Sequence, residues 1–450
     1  MRKHIKHSGR WLISHKDWKA NFIFMLGGAV VGLVAVFMAV SSEWANHTFF
    51  HVVEKNSYLP FVISPLGLIL IVYLTRKYFP GSEGSGIPQV VATLELSHKD
   101  ERSVLLTMRI AFGKVMLCIL GLLSGASIGR EGPTVHVGAA IMFSMRRFVR
   151  FRDFDMERAL IITGGAAGVA AAFNTPLAGI VFAIEELSRS FEVRTRGLVL
   201  AGVMVAAILA IAILDNYTYF GTTSATIDLR QAVVPVLVCG VICGVLGGVF
   251  SLMLINGSRF ISPFRNNNPY VVAGLCGLGI AVIGFYSGNL TYGSGYAEAK
   301  AIMDNTGEID ASYGYLKLLA TVTSYLSGIP GGIFAPSLAT GAGIGVHIAQ
   351  WLVDYPYGAI ILFAMVGYFS GVVQAPITAF VIVMEMTDQH ALILPLMVTA
   401  YLAAGVSKSI CKTPIYSTLA DNFLPDHKKI FGASAVKEKE QEKENANGRK

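Results

Sequence analysis

The stretch that decides the fold is GREGP at residues 129–133, which lies between two long apolar segments. It places the carboxylate of Glu131 and the helix-starting Pro133 where the chain is expected to cross a membrane. A carboxylate at bilayer depth is costly unless it is paired, hydrated or neutralised, so such a residue is a functional candidate by default. The pattern indicates an ion path, and the alternative is a glutamate in an interfacial loop.

The composition predicts a polytopic membrane protein. The chain has 450 residues, of which 53% are hydrophobic and only 14% are charged, and its mean hydropathy is +0.57. These values are too apolar for a soluble protein of this size. Apolar stretches long enough to span or nearly span the hydrocarbon occupy residues 22–40, 61–74, 104–123, 197–214, 233–255, 270–286 and 392–406.

The positive charge indicates topology rather than binding to nucleic acid. The net charge is +7, and the lysines and arginines gather in short linkers such as residues 146–150 and 189–196. Cytoplasmic loops carry an excess of these residues. Both termini are therefore predicted to be cytoplasmic, whereas residues 41–57 and 216–228, which are poor in lysine and arginine, are predicted to be external.

The chain contains an internal repeat. GREGP at residues 129–133 corresponds to GIFAP at 332–336, and FNTPLAG at 173–179 corresponds to VQAPITA at 373–379. The prolines lie 43 residues apart in the first half and 40 in the second. Two halves with one plan are expected. Interrupted helices favour halves that are inverted about an axis in the membrane plane, with parallel halves as the alternative.

Five prolines are predicted to mark helix amino termini. Each follows small or glycine-rich residues and precedes an apolar run, as is typical of proline in the first turn of a helix. They are Pro88, Pro133, Pro176, Pro336 and Pro376. A helix amino terminus carries about +0.5 elementary charge and free N–H donors, so several that converge inside a membrane would form an anion site. The alternative is ordinary helix starts that face water.

Polar groups near these starts suit a small dehydrated anion. Ser85, within GSGIP at residues 84–88, offers a hydroxyl donor, and the segment around Ile333 and Phe334 offers consecutive backbone N–H groups. Tyr416 offers a phenolic donor, although on its own it also fits an interfacial belt residue. Lys114 and Arg130 are cations that could raise anion occupancy or could serve helix packing.

Four motifs in this order and spacing resemble the CLC family of chloride channels and chloride/proton exchangers. They are GSGIP at 84–88, GREGP at 129–133, GIFAP at 332–336 and the late Tyr416. The resemblance covers roughly residues 22–420. Each motif alone is weak, but the four together with the repeat are specific.

The resemblance implies an all-α polytopic fold with two inverted-topology repeats, whose broken half-helices meet near the midplane. It also implies a homodimer in which each subunit has its own pore. The central anion would be held by Ser85, Tyr416 and the amides of Ile333 and Phe334. Glu131 would be the gating glutamate, whose carboxylate competes with the anion and swings away when protonated.

Glu186 helps to distinguish an exchanger from a channel within this family. Glu185 is explained by the repeat, because Glu385 stands in the matching place, whereas Glu186 corresponds to Met386. By resemblance, Glu186 matches the internal proton-transfer glutamate of the exchangers, and Ser85 matches the chloride-preferring pattern. A chloride/proton antiporter is therefore expected. The alternatives are a solvated glutamate beside Arg189 and a passive chloride channel on the same fold.

An intramembrane hydrolase is the main alternative from another class of protein, with Glu131 and either Glu185 or Glu186 as acid and base. The chain lacks the His-Glu-x-x-His pattern, the Gly-x-Ser-x-Gly nucleophile turn and the phosphate-binding loop of ATP-driven pumps. We therefore expect a protein that is not an enzyme and has no catalytic residues, metal or cofactor. Its expected partners are chloride, protons, the lipid bilayer and a second copy of the chain.

The expected organisation has four parts. Residues 1–20 form a basic cytoplasmic segment, 21–218 the first transmembrane repeat, 219–420 the second, and 421–450 a charged, disordered cytoplasmic tail. Neither a cleavable signal sequence nor an appended nucleotide-sensing domain is recognised. A prokaryotic inner membrane is the predicted location.

Overall fold

The computed structural model describes residues 15–96, 99–148, 154–187, 195–215, 220–221, 225–306 and 309–424. The predictions for the basic amino-terminal segment up to residue 14 and for the tail after residue 424 lie outside the described residues. The described part is built of helices, joined by turns and by two isolated β-bridges.

The first half contains two long helices at its beginning, short helices in its middle and a π-helical turn near its end. Its helices are α1 (His15–Lys55), α2 (Pro60–Tyr78), α3 (Ile87–Glu95), α4 (Lys99–Leu105), α5 (Met108–Leu123), α6 (Glu131–Met145), α7 (Phe154–Phe173), α8 (Pro176–Phe182), the π turn Ala183–Leu187 and α9 (Arg196–Leu214).

The second half follows the same plan. Its helices are α10 (Leu229–Asn267), α11 (Pro269–Tyr286), α12 (Tyr296–Met303), α13 (Tyr313–Leu326), α14 (Phe334–Trp351), α15 (Tyr357–Val373), α16 (Pro376–Thr387), α17 (Ile393–Ile410) and α18 (Ile415–Ala420), with a 3₁₀ turn at Asp421–Phe423.

Eight helices of the described chain are long and apolar enough to cross a membrane. Six of the seven predicted apolar stretches lie within them, and the seventh, 392–406, begins one residue before its span, so those predictions are confirmed. The eighth, Met156–Phe173, was not predicted, because it is rich in glycine and alanine and its hydropathy is only 1.3. The 41 residues of α1 extend about 60 Å at 1.5 Å per residue, so this helix crosses obliquely or projects beyond the hydrocarbon.

The proline prediction is confirmed. α8 and α16 begin at Pro176 and Pro376, and α3 begins one residue before Pro88. Pro133 and Pro336 are the third residues of α6 and α14. The missing N–H of proline has no intrahelical acceptor at any of these positions, so proline starts a helix without loss of a hydrogen bond.

The two halves are inverted repeats related by an approximate two-fold axis. Gly129 and Gly332, which are equivalent by sequence, pair in an antiparallel bridge. Each donates its N–H to the carbonyl oxygen of the other at 2.7 Å. Reciprocal contacts between equivalent residues are what a two-fold axis produces. Interrupted helices therefore begin at the contact between the halves, as predicted.

The helices that begin at this contact are buried on every side. α6 is buried from Glu131 to Phe143, α14 is buried through most of its length, and α15 is buried from Ala359 to Val373. Helices α6 and α7 pack against each other, as do their counterparts α14 and α15. The longer outer helices shield these elements from lipid, so their amino termini can carry exposed backbone donors at membrane depth.

A second reciprocal contact joins the halves near the π turn. The carboxylate of Glu185 accepts hydrogen bonds from the N–H groups of Ile377 (3.1 Å) and Thr378 (2.6 Å) at the start of α16. In the equivalent arrangement, the carboxylate of Glu385 accepts from Leu177 (3.1 Å) and Ala178 (2.7 Å) at the start of α8. Each glutamate thus satisfies the unpaired donors of a helix in the other half.

We expect Glu385→Gln to lower the thermal transition midpoint of the purified protein. The amide has one acceptor oxygen and no charge, so at least one hydrogen bond to a charged group is weakened, at a cost of about 1.5–3 kcal/mol. The measurement is thermal unfolding in detergent, and Glu185→Gln should behave in the same way. Glu95, which is exposed on α3, provides the matched control, Glu95→Gln. An unchanged midpoint in both test variants would contradict a role of these carboxylates in holding the halves together.

Candidate functional site

Three loops are held together where the halves meet. The loop before α6 is bound to the loop before α14 by the Gly129 and Gly332 hydrogen bonds. The loop before α3 joins them, because Gly84 donates to the carbonyl of Ile329 and accepts from Gly331, both at 3.2 Å. The starts of α3, α6 and α14 are therefore fixed at one place.

Glu131 is the first residue of α6 and is fully buried. A Cβ on Gly129 would collide with its carboxylate oxygen Oε2 and would also contact Ala335 and Pro336 in the first turn of α14. The carboxylate therefore stands between the amino termini of two helices. Both termini carry partial positive charge, which stabilises an anion at this position. The side chain predicted to gate the path is thus located where an anion is electrostatically favoured.

Ser85 lies in a loop that requires glycine on both sides. Gly84 and Gly86 have φ values of 66° and 106°, which side chains rarely adopt. A Cβ on Gly132 would collide with Ser85 Oγ, so the hydroxyl packs directly against the first turn of α6. Ser85 is 1% exposed.

Lys114 holds the Ser85 loop in place through hydrogen bonds to the backbone of that loop. Its Nζ donates to the carbonyl oxygens of Gly84 (3.2 Å) and Glu83 (3.4 Å), and the side chain is fully buried. Arg130 donates from Nη1 to the carbonyl of Ala39 at 2.7 Å. Of the two roles left open for these cations, packing of the surrounding backbone is the one that the contacts describe.

Ile333 and Phe334 stand at the start of α14, with Ile333 as the N-cap residue. The amides of the first turn have no acceptor within their own helix. The ring of Phe334 is enclosed by aromatic neighbours, with centroid distances of 4.9 Å to Phe369, 6.0 Å to Phe173 and 5.8 Å to Tyr416. This packing fixes the direction in which the backbone N–H groups point.

Tyr416 lies in α18, from the far end of the chain, and is fully buried. Its hydroxyl lies beside Ser85, and both Glu131 and Glu186 are within electrostatic range of it. Neither the Ser85 hydroxyl nor the Tyr416 hydroxyl makes a well-formed hydrogen bond to another group in the described chain. Two buried hydroxyl donors therefore face one another, next to the start of α14.

Glu186 lies on the π turn Ala183–Leu187 and is half-buried. Single π turns are frequent at functional sites, because the extra residue changes the direction of the following side chains. Here the turn directs Glu185 to α16, while Glu186 stays within range of Tyr416. The alternative interpretation of Glu186 as a solvated glutamate names Arg189 as its neighbour, and Arg189 lies outside the described residues.

The structure brings together all six predicted site residues. Tyr416 lies beside Ser85 and Phe334 at one position, Ile333 precedes Phe334 at the start of α14, and both Glu131 and Glu186 are within electrostatic range of the Tyr416 hydroxyl. The position is lined by hydroxyl and amide donors, which suits a small anion. Within the described residues, no group of three or more His, Cys, Asp or Glu side chains could hold a metal ion.

Sequence reasoning missed a second loop of the same kind. The tripeptide GSG occurs at residues 84–86 and again at 293–295, and the second copy precedes α12 as the first precedes α3. The repeated tripeptide is visible in the sequence. After it, however, none of the first four residues of α3 is the same as its counterpart in α12. The spacing of the prolines, on which the repeat was recognised, does not identify the two loops as equivalent.

Comparison with known proteins shows the family. The model described as "Voltage gated chloride channel" matches residues 66–408. The H(+)/Cl(−) exchange transporter ClcA of Vibrio parahaemolyticus serotype O3:K6 (strain RIMD 2210633) is 30% identical over 440 residues, which cover 90% of this chain and 91% of the relative. The protein of the same name from Vibrio vulnificus (strain YJ016) is 29% identical over 456 residues, with 92% of each chain covered.

Solved structures share the fold. A slow cyanobacterial Cl−/H+ antiporter has a TM-score of 0.78 at 24% identity, covering 90% of this chain and 97% of its own. A CLC-type fluoride/proton antiporter has a TM-score of 0.76 at 23% identity, with 89% and 98% covered. The helical architecture and the match over most of the chain place this protein in the voltage gated chloride channel family, the CLC family.

Proposed function

We propose that the protein is a secondary active antiporter that exchanges chloride for protons. The observation that carries the proposal is the position of Tyr416, whose hydroxyl lies beside Ser85 and within electrostatic range of both Glu131 and Glu186. Two protonatable side chains thus stand close to one candidate anion site. Both Vibrio relatives are described as H(+)/Cl(−) exchange transporters, which supports exchange.

Chloride binds at the centre through neutral donors. The hydroxyls of Ser85 and Tyr416 and the backbone N–H groups of Ile333 and Phe334 replace part of its hydration shell, and the amino terminus of α14 adds favourable charge. The absence of a directly bound cation in this donor set keeps the affinity moderate, so that the ion can leave as well as enter.

Glu131 couples the two ions. When ionised, its carboxylate occupies the position between the starts of α6 and α14 and excludes chloride from it. When protonated, it loses the charge that the two helix termini stabilise, so it leaves and chloride can take its place. Each change of protonation at Glu131 is therefore linked to a change of anion occupancy.

Glu186 supplies protons from the side of the membrane that carries the π turn. It is half-buried, so water reaches it, and it does not belong to the anion donor set. Protons would pass from Glu186 towards Glu131 past Tyr416. A passive chloride channel on the same fold is the alternative, since fold alone does not separate the two, but the glutamate at position 186 favours exchange.

The proposed location is a prokaryotic inner membrane, with both termini in the cytoplasm. The bacterial relatives support the membrane, and the proposed orientation rests on the lysines and arginines of the linkers. The proposed assembly is a homodimer formed through the surface where α8 and α16 meet. There the equivalent residues Leu177 and Ile377 are exposed together with Ile184 and Leu394, and they form an apolar surface shared by both halves.

In proteoliposomes with a chloride gradient, the wild-type protein is expected to drive protons against their gradient. Glu186→Ala should retain chloride flux and lose uphill proton movement, because chloride does not need this carboxylate. Glu131→Ala should also lose proton movement, because the coupled carboxylate is gone. The measurement records proton and chloride fluxes in the same vesicles. Glu95→Ala is the control and should match the wild type. Chloride flux without uphill proton movement in the wild type would instead establish a channel.

Tyr416→Phe and Ser85→Ala should each weaken chloride binding by about tenfold or more, since a hydrogen bond to a charged group contributes roughly 1.5–3 kcal/mol. Binding is measured by isothermal titration calorimetry on the purified protein. Tyr368 is the matched control, because it is also fully buried and its hydroxyl lacks a hydrogen-bond partner in the described chain. Tyr368→Phe should bind chloride normally. Equal affinities in all three variants would argue against the assigned donors.

Ile377→Trp should shift the protein from dimer to monomer, because the larger ring disturbs the proposed apolar contact. Leu275→Trp is the control. Leu275 lies on α11 and is 64% exposed, and its substitution should leave the dimer intact. Subunit number is counted by single-molecule photobleaching in lipid bilayers. A monomeric wild-type protein would disprove the assembly without affecting the transport proposal.

A further inference from the structure

The second half of the chain carries a structural copy of the Ser85 loop. In the first copy, Gly84 and Gly86 have φ values of 66° and 106°, and in the second, Gly293 and Gly295 have values of 64° and 79°. Gly86 is the N-cap of α3 and Gly295 is the N-cap of α12. Ser294 therefore stands in the place that Ser85 holds in the first half.

A buried lysine holds each loop in the same way. Lys114 donates to the carbonyls of Glu83 and Gly84. Lys317 donates to the carbonyls of Thr291 (3.0 Å), Tyr292 (3.3 Å) and Gly293 (2.8 Å). Both lysines are fully buried. The separation of the two lysines, 203 residues, equals that of Gly129 and Gly332, so the second loop is built by the same internal symmetry.

The second loop opens into a cavity of about 640 Å³. Its lining includes Ser294, Gly295 and Glu298 from this loop and α12, together with Arg130 and Ser42. Ser42 is 4% exposed, and its hydroxyl has no hydrogen-bond partner in the part of the chain that the structure describes. The cavity lies at the end of α1 that is remote from the amino terminus, next to the residue that precedes Glu131.

The two loops differ in the charge of one side chain. The third residue of α3 is Gln89, whose amide donates to the carbonyl of Glu83 at 2.6 Å. The third residue of α12 is Glu298, which is 7% exposed and lies near Lys317. A carboxylate at this position already neutralises the start of the helix, in the way that Glu131 does at α6.

We propose that the Ser294 loop is a second anion site, which binds a small monovalent inorganic anion such as chloride or bromide and for which the Glu298 carboxylate competes. The donors are the Ser294 hydroxyl, the first N–H groups of α12 and the buried hydroxyl of Ser42. The inference rests on the proposed function, because the cavity at this loop is also lined by Arg130, the residue before Glu131.

The charges around the cavity make this site weak while Glu298 is ionised. Glu43 and Glu54 stand at its rim together with His47 and His51, and the side chains of His51 and Glu54 are 64% and 73% exposed. The rim charges are in contact with water and are screened by salt. Glu298 is buried beside the loop, so its charge is the one that decides the occupancy.

The test is anomalous diffraction from crystals of the full chain grown in bromide. Glu298→Gln restores the glutamine found in the first half and should add a bromide peak at Ser294 to the peak at Ser85. Glu298→Gln combined with Ser294→Ala should lose the added peak and keep the other. In flux measurements, Glu298→Gln should lower the chloride concentration for half-maximal uptake by about fivefold, the lower end of typical coupling between two ligands.

Glu54→Gln is the matched control, because it removes one negative charge from the same cavity at its exposed rim, and it should give no peak at Ser294. Bromide at Ser85 alone in Glu298→Gln would overturn this inference and leave the proposed function standing. Bromide at neither loop would overturn both. Bromide at Ser294 without bromide at Ser85 would support the second site while contradicting the proposed central one.

Discussion

The pair of hydrogen bonds between Gly129 and Gly332 is the constraint on which the site depends. Each glycine lies two residues before the first residue of its helix, Glu131 in α6 and Phe334 in α14. The bonds therefore bring the two helix starts face to face. A Cβ on Gly332 would lie 3.0 Å from Gly132 N and 3.1 Å from Gly129 O, so this approach requires glycine. Two helix dipoles then favour an anion where a charged side chain would bind it too tightly.

The scaffold around this contact is built twice from equivalent parts. Glu185 and Glu385 each satisfy helix donors in the other half, and Lys114 and Lys317 each gather the carbonyls of a glycine loop. The two lysines are buried and the two glutamates half-buried, and such ionic groups are costly unless their hydrogen bonds are complete. Here each carboxylate accepts two backbone donors and each lysine finds at least two carbonyls. The inversion axis thus supplies a frame of repeated hydrogen bonds around the site.

Much of this architecture could be predicted from the sequence, because it follows from local rules. Proline in a first helical turn has a fixed meaning, and a long apolar run predicts a crossing. Helix α7 was missed because it depends on tertiary burial: its glycines and alanines pack against α6 rather than against lipid. The partners of Lys114 could not be predicted, since backbone carbonyls as acceptors leave no pattern in a sequence. The Ser294 loop was visible only as a repeated tripeptide.

The differences between the halves are more informative about transport than their similarities. Positions that the frame requires are the same in both halves, as the lysines and capping glutamates show. Where equivalent positions carry different residues, symmetry does not explain the difference, and we look for a functional reason. Glu131 is equivalent to Phe334, and Glu186 is equivalent to Met386. In both cases a protonatable group occurs once. A two-fold frame with identical halves would offer the same path from both sides, so the direction and separation of the proton and anion routes must come from these unmatched carboxylates.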